Sequence, residues 1–273
     1  MPATSSEEVL DPVAARWAEV LRKSGYELSV KSRRDVRRLS RLSRTWRIIL
    51  NATGLKPPAS VFELGCGGGA QLIPLALNGF VCRGIDASAE VLARFTRTVE
   101  VVSSWEGRPL PIKVVEADFL RYRMGEGEEY DLVFHFGVLE HYLDHTKRLE
   151  VLGKMVRMCR PGGYLVSVVP SGLHPERKRQ RALGLGGYCV PEIDYSPSLM
   201  SAEFKVVGAE PLMVRCHNLF GYLRMKPNVG QLQRLIDNAV YYAAQLSPAL
   251  EGGFATRHAG SFIGIARRPL RGS

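Results

Sequence analysis

The residues that could do chemistry concentrate first in one stretch, Val61-Phe62-Glu63-Leu64-Gly65-Cys66-Gly67-Gly68-Gly69-Ala70. An apolar run ends in a carboxylate and passes straight into a glycine-rich turn. Glycine accepts positive φ and lets a ligand come close to the backbone. Gly65-x-Gly67-x-x-Ala70 satisfies the dinucleotide fingerprint, and Asp86 follows about 20 residues on, where a ribose-binding acid belongs. Asp118 adds another carboxylate. His135 and His141 carry imidazoles suited to serve as a base near neutral pH. His141 and His145 stand four apart, but no HExxH and no further ligand cluster accompanies them, so no metal is expected.

These side chains need a scaffold that delivers them to one edge. Strand-like runs occur at 60–64, 81–85, 111–115, 131–136 and 163–169, with helical segments at about 70–78, 88–102 and 145–159 between them. This β-α alternation predicts a parallel sheet covered on both faces. Helices are expected at 7–24 and 33–53, the second with Val36, Leu39, Leu42, Trp46 and Ile49 on one face and Arg33, Arg37, Arg41 and Arg44 on another. Two prolines in LKPPAS end it. Ser196-Pro197 reads as a helix start and Gly208 as its C′ glycine. Strands at about 210–217 and 259–267 finish the sheet, with a helix at 229–247 between them. Residues 170–195, rich in Pro and Gly and carrying ERKRQR, read as a long excursion over one sheet edge.

The order of the segments separates the two readings of the glycine turn. Glu63 precedes Gly65-x-Gly67-x-Gly69, and GIDAS (84–88), EADFL (116–120), YDLVFHFGVLEH (130–141) and RPGGYLVSVVP (160–170) follow. Together they resemble the class I S-adenosylmethionine-dependent methyltransferase family over about residues 58–170. The motifs at 130–141 and 160–163 count against a nicotinamide oxidoreductase. The resemblance implies a seven-stranded Rossmann-like sheet, mostly parallel with an antiparallel last strand, helices on both faces, N-terminal helices and cap-like insertions. It implies S-adenosylmethionine as cofactor. Gly65, Cys66 and Gly67 would pass beneath its methionine and ribose portions, and Glu63 would anchor the turn or accept from its ammonium. Asp86, with Ala87 beside it, would hold the ribose hydroxyls, and Asp118 the adenine amine with Phe119 along the ring. His135 and Phe136 would lie where the methyl group is presented, with His135 and His141 as candidate catalytic bases.

The division expected is a partly basic helical extension at 1–57 and a methyltransferase domain at 58–273 with excursions at about 170–195 and 218–256. Tyr188, Tyr195, Tyr222, Tyr241 and Tyr242 fall in those excursions and could wall an acceptor pocket. The expected reaction is methylation of a small-molecule acceptor, oxygen ahead of nitrogen. The sequence His135-Phe136-Gly137-Val138 lacks the NPPY-type tetrapeptide of base and glutamine N-methylation. Net charge is +10, and the first 60 residues carry 12 basic against 6 acidic residues. RNA is therefore the alternative acceptor, a non-catalytic cofactor-binding partner protein is another reading, and a homodimer stays open. No apolar run is long enough to span a membrane, and MPATSSEEVLDP lacks the order of a signal peptide. The odd count of five cysteines, with no CxxC pair, argues against a disulfide framework, so a cytoplasmic location is expected.

Overall fold

A computed structural model describes residues 12–23, 28–183, 190–225, 229–246 and 252–270. Tyr188, Cys189 and the expected start of the first helix lie outside them. The chain opens with α1 (Pro12–Lys23), α2 (Arg33–Leu39) and α3 (Arg44–Thr53). There follow β1 (Ser60–Leu64), α4 (Leu72–Leu77), β2 (Val81–Asp86), α5 (Ala89–Glu106), β3 (Ile112–Glu116) and β4 (Tyr130–Phe136). A single 3₁₀ turn, Leu139–His141, then leads to α6 (His145–Met158), β5 (Cys159–Pro170), α7 (Pro175–Ala182) and α8 (Pro197–Val206). β6 (Glu210–Leu219), a 3₁₀ segment at Gly221–Met225, α9 (Gln231–Leu246), α10 (Gly253–His258) and β7 (Ala259–Arg267) complete it.

The strands form one sheet in the order β3-β2-β1-β4-β5-β7-β6. β1 to β5 pair in parallel, and β7 runs antiparallel to both β5 and β6. Strands covered on both faces read as nearly continuous apolar runs. Alternate residues therefore feed two cores. Phe62, Val133 and Leu165 pack with Val151, Met155 and Phe204 from α6 and α8. Val61, Leu132 and Phe134 pack with Trp46, Ile73 and Phe95 from α3, α4 and α5.

The expected single helix over 33–53 is two helices. Ser43 Oγ accepts from Trp46 N and starts α3 anew, while Ser40 caps α2. The break lets Trp46 insert fully buried, edge-on to Phe134 at 4.9 Å and stacked on Phe136 at 5.7 Å. Its indole N–H donates to Gln71 Oε1 (2.9 Å), tying the N-terminal helices to the glycine turn. Arg33, Arg37 and Arg41 are exposed to solvent. The basic stretch at 177–181, read from sequence as loop, is helical. α7 is clasped to the following segment by Arg177 on Glu192 and Arg181 on Asp194. Ser196 and Gly208 bracket α8 as expected, with Ser196 Oγ accepting from Leu199 N and Gly208 at φ +75°.

Candidate functional site

The site is built at the carboxyl ends of β1, β2 and β4, where a parallel sheet leaves an open crevice. After Leu64 the chain turns through Gly65 (φ +65°), Gly67 (φ +49°) and Gly69 (φ +80°). Cys66 N donates to Ile85 O at 3.0 Å, holding the turn against β2. A Cβ on Gly84 would sit 2.8 Å from Cys66 Sγ, so β2 needs a glycine there to leave room for the cysteine. Burial pushes the Cys66 thiol well up, so it packs as a small apolar group.

A cavity of about 340 Å³ opens over this turn. Glu63, Gly65, Cys66, Gly67, Asp86, Ala87, Asp118, Phe119, Phe136 and His141 all line it, so ten of the expected site residues converge from segments up to 78 positions apart. Asp86 uses both carboxylate oxygens locally: Oδ2 accepts from Gly67 N (2.9 Å) and Oδ1 from Ser88 N (3.0 Å). Each oxygen keeps further lone-pair capacity toward the cavity. Asp118 Oδ1 accepts from Leu120 N (2.9 Å), which sets the turn carrying Phe119.

Glu63 is the unusual member. It is 3% exposed and its Oε2 has no hydrogen-bond partner. Burial first, and then the Asp86 carboxylate, pushes its proton affinity well above the usual carboxylate range. A cationic group in the cavity would supply the missing partner.

His135 departs from expectation. It is fully buried, does not line the cavity, and neither ring nitrogen has a partner. It lies on the Val133 face of β4 beside Ser167 of β5, whereas the cavity is lined from β4 onward by Phe136, Gly137 and Val138. Burial alone lowers its pKa to about 3, so the ring stays neutral near pH 7.

His141 is placed differently. Its Nδ1 lies 3.0 Å from Pro191 O, and a carbonyl can only accept, so Nδ1 carries the proton and Nε2 keeps its lone pair. Burial lowers its pKa, favouring that neutral form. Ile193 N donates to Glu140 O (2.8 Å), so the 190–193 segment of the excursion is fastened to the same 3₁₀ turn. His145 turns instead to Glu203 (3.1 Å), away from any pairing with His141. Among the described residues no group of three or more His, Cys, Asp or Glu could hold a metal ion.

Among the described residues the tyrosines do not gather into one wall. Tyr195 is fully buried and donates to Glu203, which also takes Arg148 Nε (2.8 Å). Tyr241 donates to Asn218 Oδ1, Tyr222 lies against His174, and Tyr242 is exposed. Sequence reasoning missed Val13 and Trp17 of α1, which roof the cavity, with the Trp17 ring 4.9 Å from His141. It also missed Lys154, whose Nζ donates to Phe119 O and to Leu120 O (3.0 Å) while lying over the Phe119 ring. No local pattern marks any of the three, because each becomes a neighbour of the site only through folding.

Next to His141, Glu140 is buried, one oxygen is unpartnered, and burial raises its pKa to about 8 from 4.5. The folded chain thus keeps a proton that the unfolded chain releases above 4.5. The stability this group contributes is full below that point and is lost as pH rises through about 8. Glu140→Gln should therefore melt at nearly the wild-type temperature at pH 4.5 and gain a margin over wild type that widens toward pH 8.5. A margin independent of pH would show that Glu140 is not protonated in the fold.

The cavity, its acids and the glycine turn occur on a chain whose residues 62–167 match the family described as methyltransferase domain. Residues 62–167 thus resemble a methyltransferase domain. An uncharacterised methyltransferase of Synechocystis is 30% identical over 119 residues, 44% of this chain and 50% of that protein. A ubiquinone biosynthesis O-methyltransferase of Pseudomonas savastanoi is 26% identical over 150 residues, 47% of this chain and 61% of that one. The chain thus spans about half to three-fifths of the length of these curated relatives. A S-adenosylmethionine-dependent methyltransferase structure from Methanosarcina mazei superposes with TM-score 0.58 at 15% identity, covering 84% of this chain and 99% of the other, a likeness of fold. The match covers the motifs from Phe62 to Ser167. The helices before it and the connections after it lie outside the match.

Proposed function

We propose that this protein transfers the methyl group of S-adenosylmethionine to a small-molecule acceptor, with a hydroxyl favoured over an amine. The observation that carries the reading is the buried, unpartnered Glu63 oxygen in a cavity that also presents Asp86 and Asp118. This is the acceptor set that a cationic amino-acid ligand bearing a ribose and an adenine needs. When bound, the cofactor supplies an already activated methyl group, and the protein's part is to position the acceptor and exclude water.

Glu63 would accept from the cofactor ammonium, Asp86 from the ribose hydroxyls and Asp118 from the adenine amine. Phe119 would lie along the adenine, its turn held by Lys154. Trp17 and Val13 close the cavity from above. His141 is the group suited to take a proton from a hydroxyl, since its Nδ1–H is committed to Pro191 and its Nε2 is not. The preference for oxygen rests on that imidazole and on the O-methyltransferases among the relatives.

Incubation of the protein with methyl-labelled S-adenosylmethionine and a cell extract split into small-molecule, RNA and protein fractions tests this reading. Label in phenolic or other hydroxylated small molecules is expected. Label in RNA, weakened by salt and by alanines at Arg33, Arg37 and Arg41, would replace it with the RNA reading. Once an acceptor is identified, His141→Asn should lower kcat about 100-fold or more with little change in the KM for S-adenosylmethionine. Wild-type kcat should rise with pH through a midpoint below 6.5, because burial lowers the imidazole pKa and only the neutral ring accepts a proton. An unchanged kcat in the variant would remove His141 from the chemistry.

A further inference from the structure

α9 is amphipathic and sits inside out. Asp237 is buried, and Asn238 and Tyr241 are partly buried, with the Tyr241 hydroxyl donating to Asn218 Oδ1 (2.9 Å) at the end of β6. The opposite side carries Leu232 (72% exposed), Leu235 (67%), Ile236, Val240 and Tyr242, with Ala239 and Ala243 between them. A helix normally turns its apolar side to its own core. Here the polar side makes the attachment and the apolar stripe is left in water.

We propose that this stripe is where two copies of the chain meet, α9 against α9 across a twofold axis. Three features of the helix point to a second copy. Leu232, Ile236, Ala239 and Ala243 are spaced by four, three and four residues, the seam spacing of paired helices, and the alanines allow close approach at its centre. The five large side chains leave roughly 500 Å² exposed, the size of patch that is commonly functional. Doubled by twofold symmetry, this reaches the roughly 1,000 Å² that a specific interface needs. The helix is also neutral, with Arg234 and Asp237 its only charged residues, whereas a helix built to lie on a lipid surface is rich in Lys and Arg. The inference is independent of the reaction proposed above.

Sedimentation equilibrium of the full chain at tens of micromolar should give twice the chain mass. Leu235→Glu with Ile236→Glu should give the single-chain mass with an unchanged circular dichroism spectrum. Should that variant fail to fold, hydrogen exchange of the wild type provides the second reading, with peptides from 231–246 becoming more protected as concentration rises. A wild-type monomer with concentration-independent exchange overturns the proposal, as does a dimer that survives both glutamates. Binding of monomeric wild type to anionic vesicles, abolished by the same substitutions, would assign the stripe to a lipid surface and equally overturn it.

Discussion

Asp86→Asn is expected to weaken S-adenosylmethionine binding about 100-fold while the protein still folds. In the wild type both oxygens of Asp86 accept backbone N–H groups, from Gly67 and Ser88. Their remaining lone pairs would meet the two ribose hydroxyls. Asparagine must turn its NH2 toward one of these partners, setting donor against donor, and it presents a single acceptor oxygen. Hydrogen bonds to a charged acceptor are worth about 1.5–3 kcal/mol each, so loss of one bond and weakening of the other amounts to about 3 kcal/mol, or roughly two decades in Kd. Isothermal titration of wild type and variant with the cofactor is the measurement. An affinity within threefold of wild type would show that Asp86 only organises the glycine turn.

The second large effect is structural. At Gly69, φ is +80° and an added Cβ would fall 2.1 Å from the ring of Phe95. Phe95 is almost fully buried in the core beneath α5, so it has nowhere to retreat. Gly69→Ala combines about 1–2 kcal/mol for the left-handed backbone with about 1–3 kcal/mol for overpacking. A loss of about 3 kcal/mol and a fall in Tm of roughly 6–12 °C should follow. Gly67→Ala is the contrast, since its φ is +49° but nothing lies within 4 Å of the added carbon. That carbon would project into open space in the turn lining the cavity, so it should cost only about 1 kcal/mol of stability and act mainly on ligand affinity. Chemical denaturation of both variants separates the two roles, and equal stabilities would contradict the packing argument at Phe95.

These two glycines show how differently the sequence speaks about neighbouring positions. That a glycine turn follows β1 is plain from Gly65 to Gly69, because strand, turn and helix signals are local. Which glycine serves the fold and which faces the cavity depends on Phe95, more than 20 residues away. His135 makes the same point. Its place near the end of β4 is legible, but both faces of β4 are buried, so no polar-apolar alternation reveals which way a given side chain points. The packing of Phe134 and Phe136 against Trp46 settles the parity, and His135 is left buried without lining the cavity.

Local signals also account for the boundaries read well and those read poorly. Ser88, Ser196 and Gly208 cap helices through contacts a few residues away, and each is visible in the sequence. The break between α2 and α3 is signalled only by Ser43, a weak cue within a strong apolar period. α7 is polar throughout and buries none of its residues, so no periodicity announces it, and its ion pairs to Glu192 and Asp194 arise only once the excursion folds back.

The sequence by itself determined the order of the strands, the glycine turn, and the acids at the strand ends, because these rest on periodicity and spacing within short windows. Tertiary structure alone decided that α1 roofs the cavity with Trp17, that Lys154 holds the Phe119 turn, that His141 rather than His135 reaches the site, and that α9 shows its apolar side to water. Each of these depends on which residues distant in the chain become neighbours, and burial and partner chemistry are properties of those neighbours rather than of the residue itself.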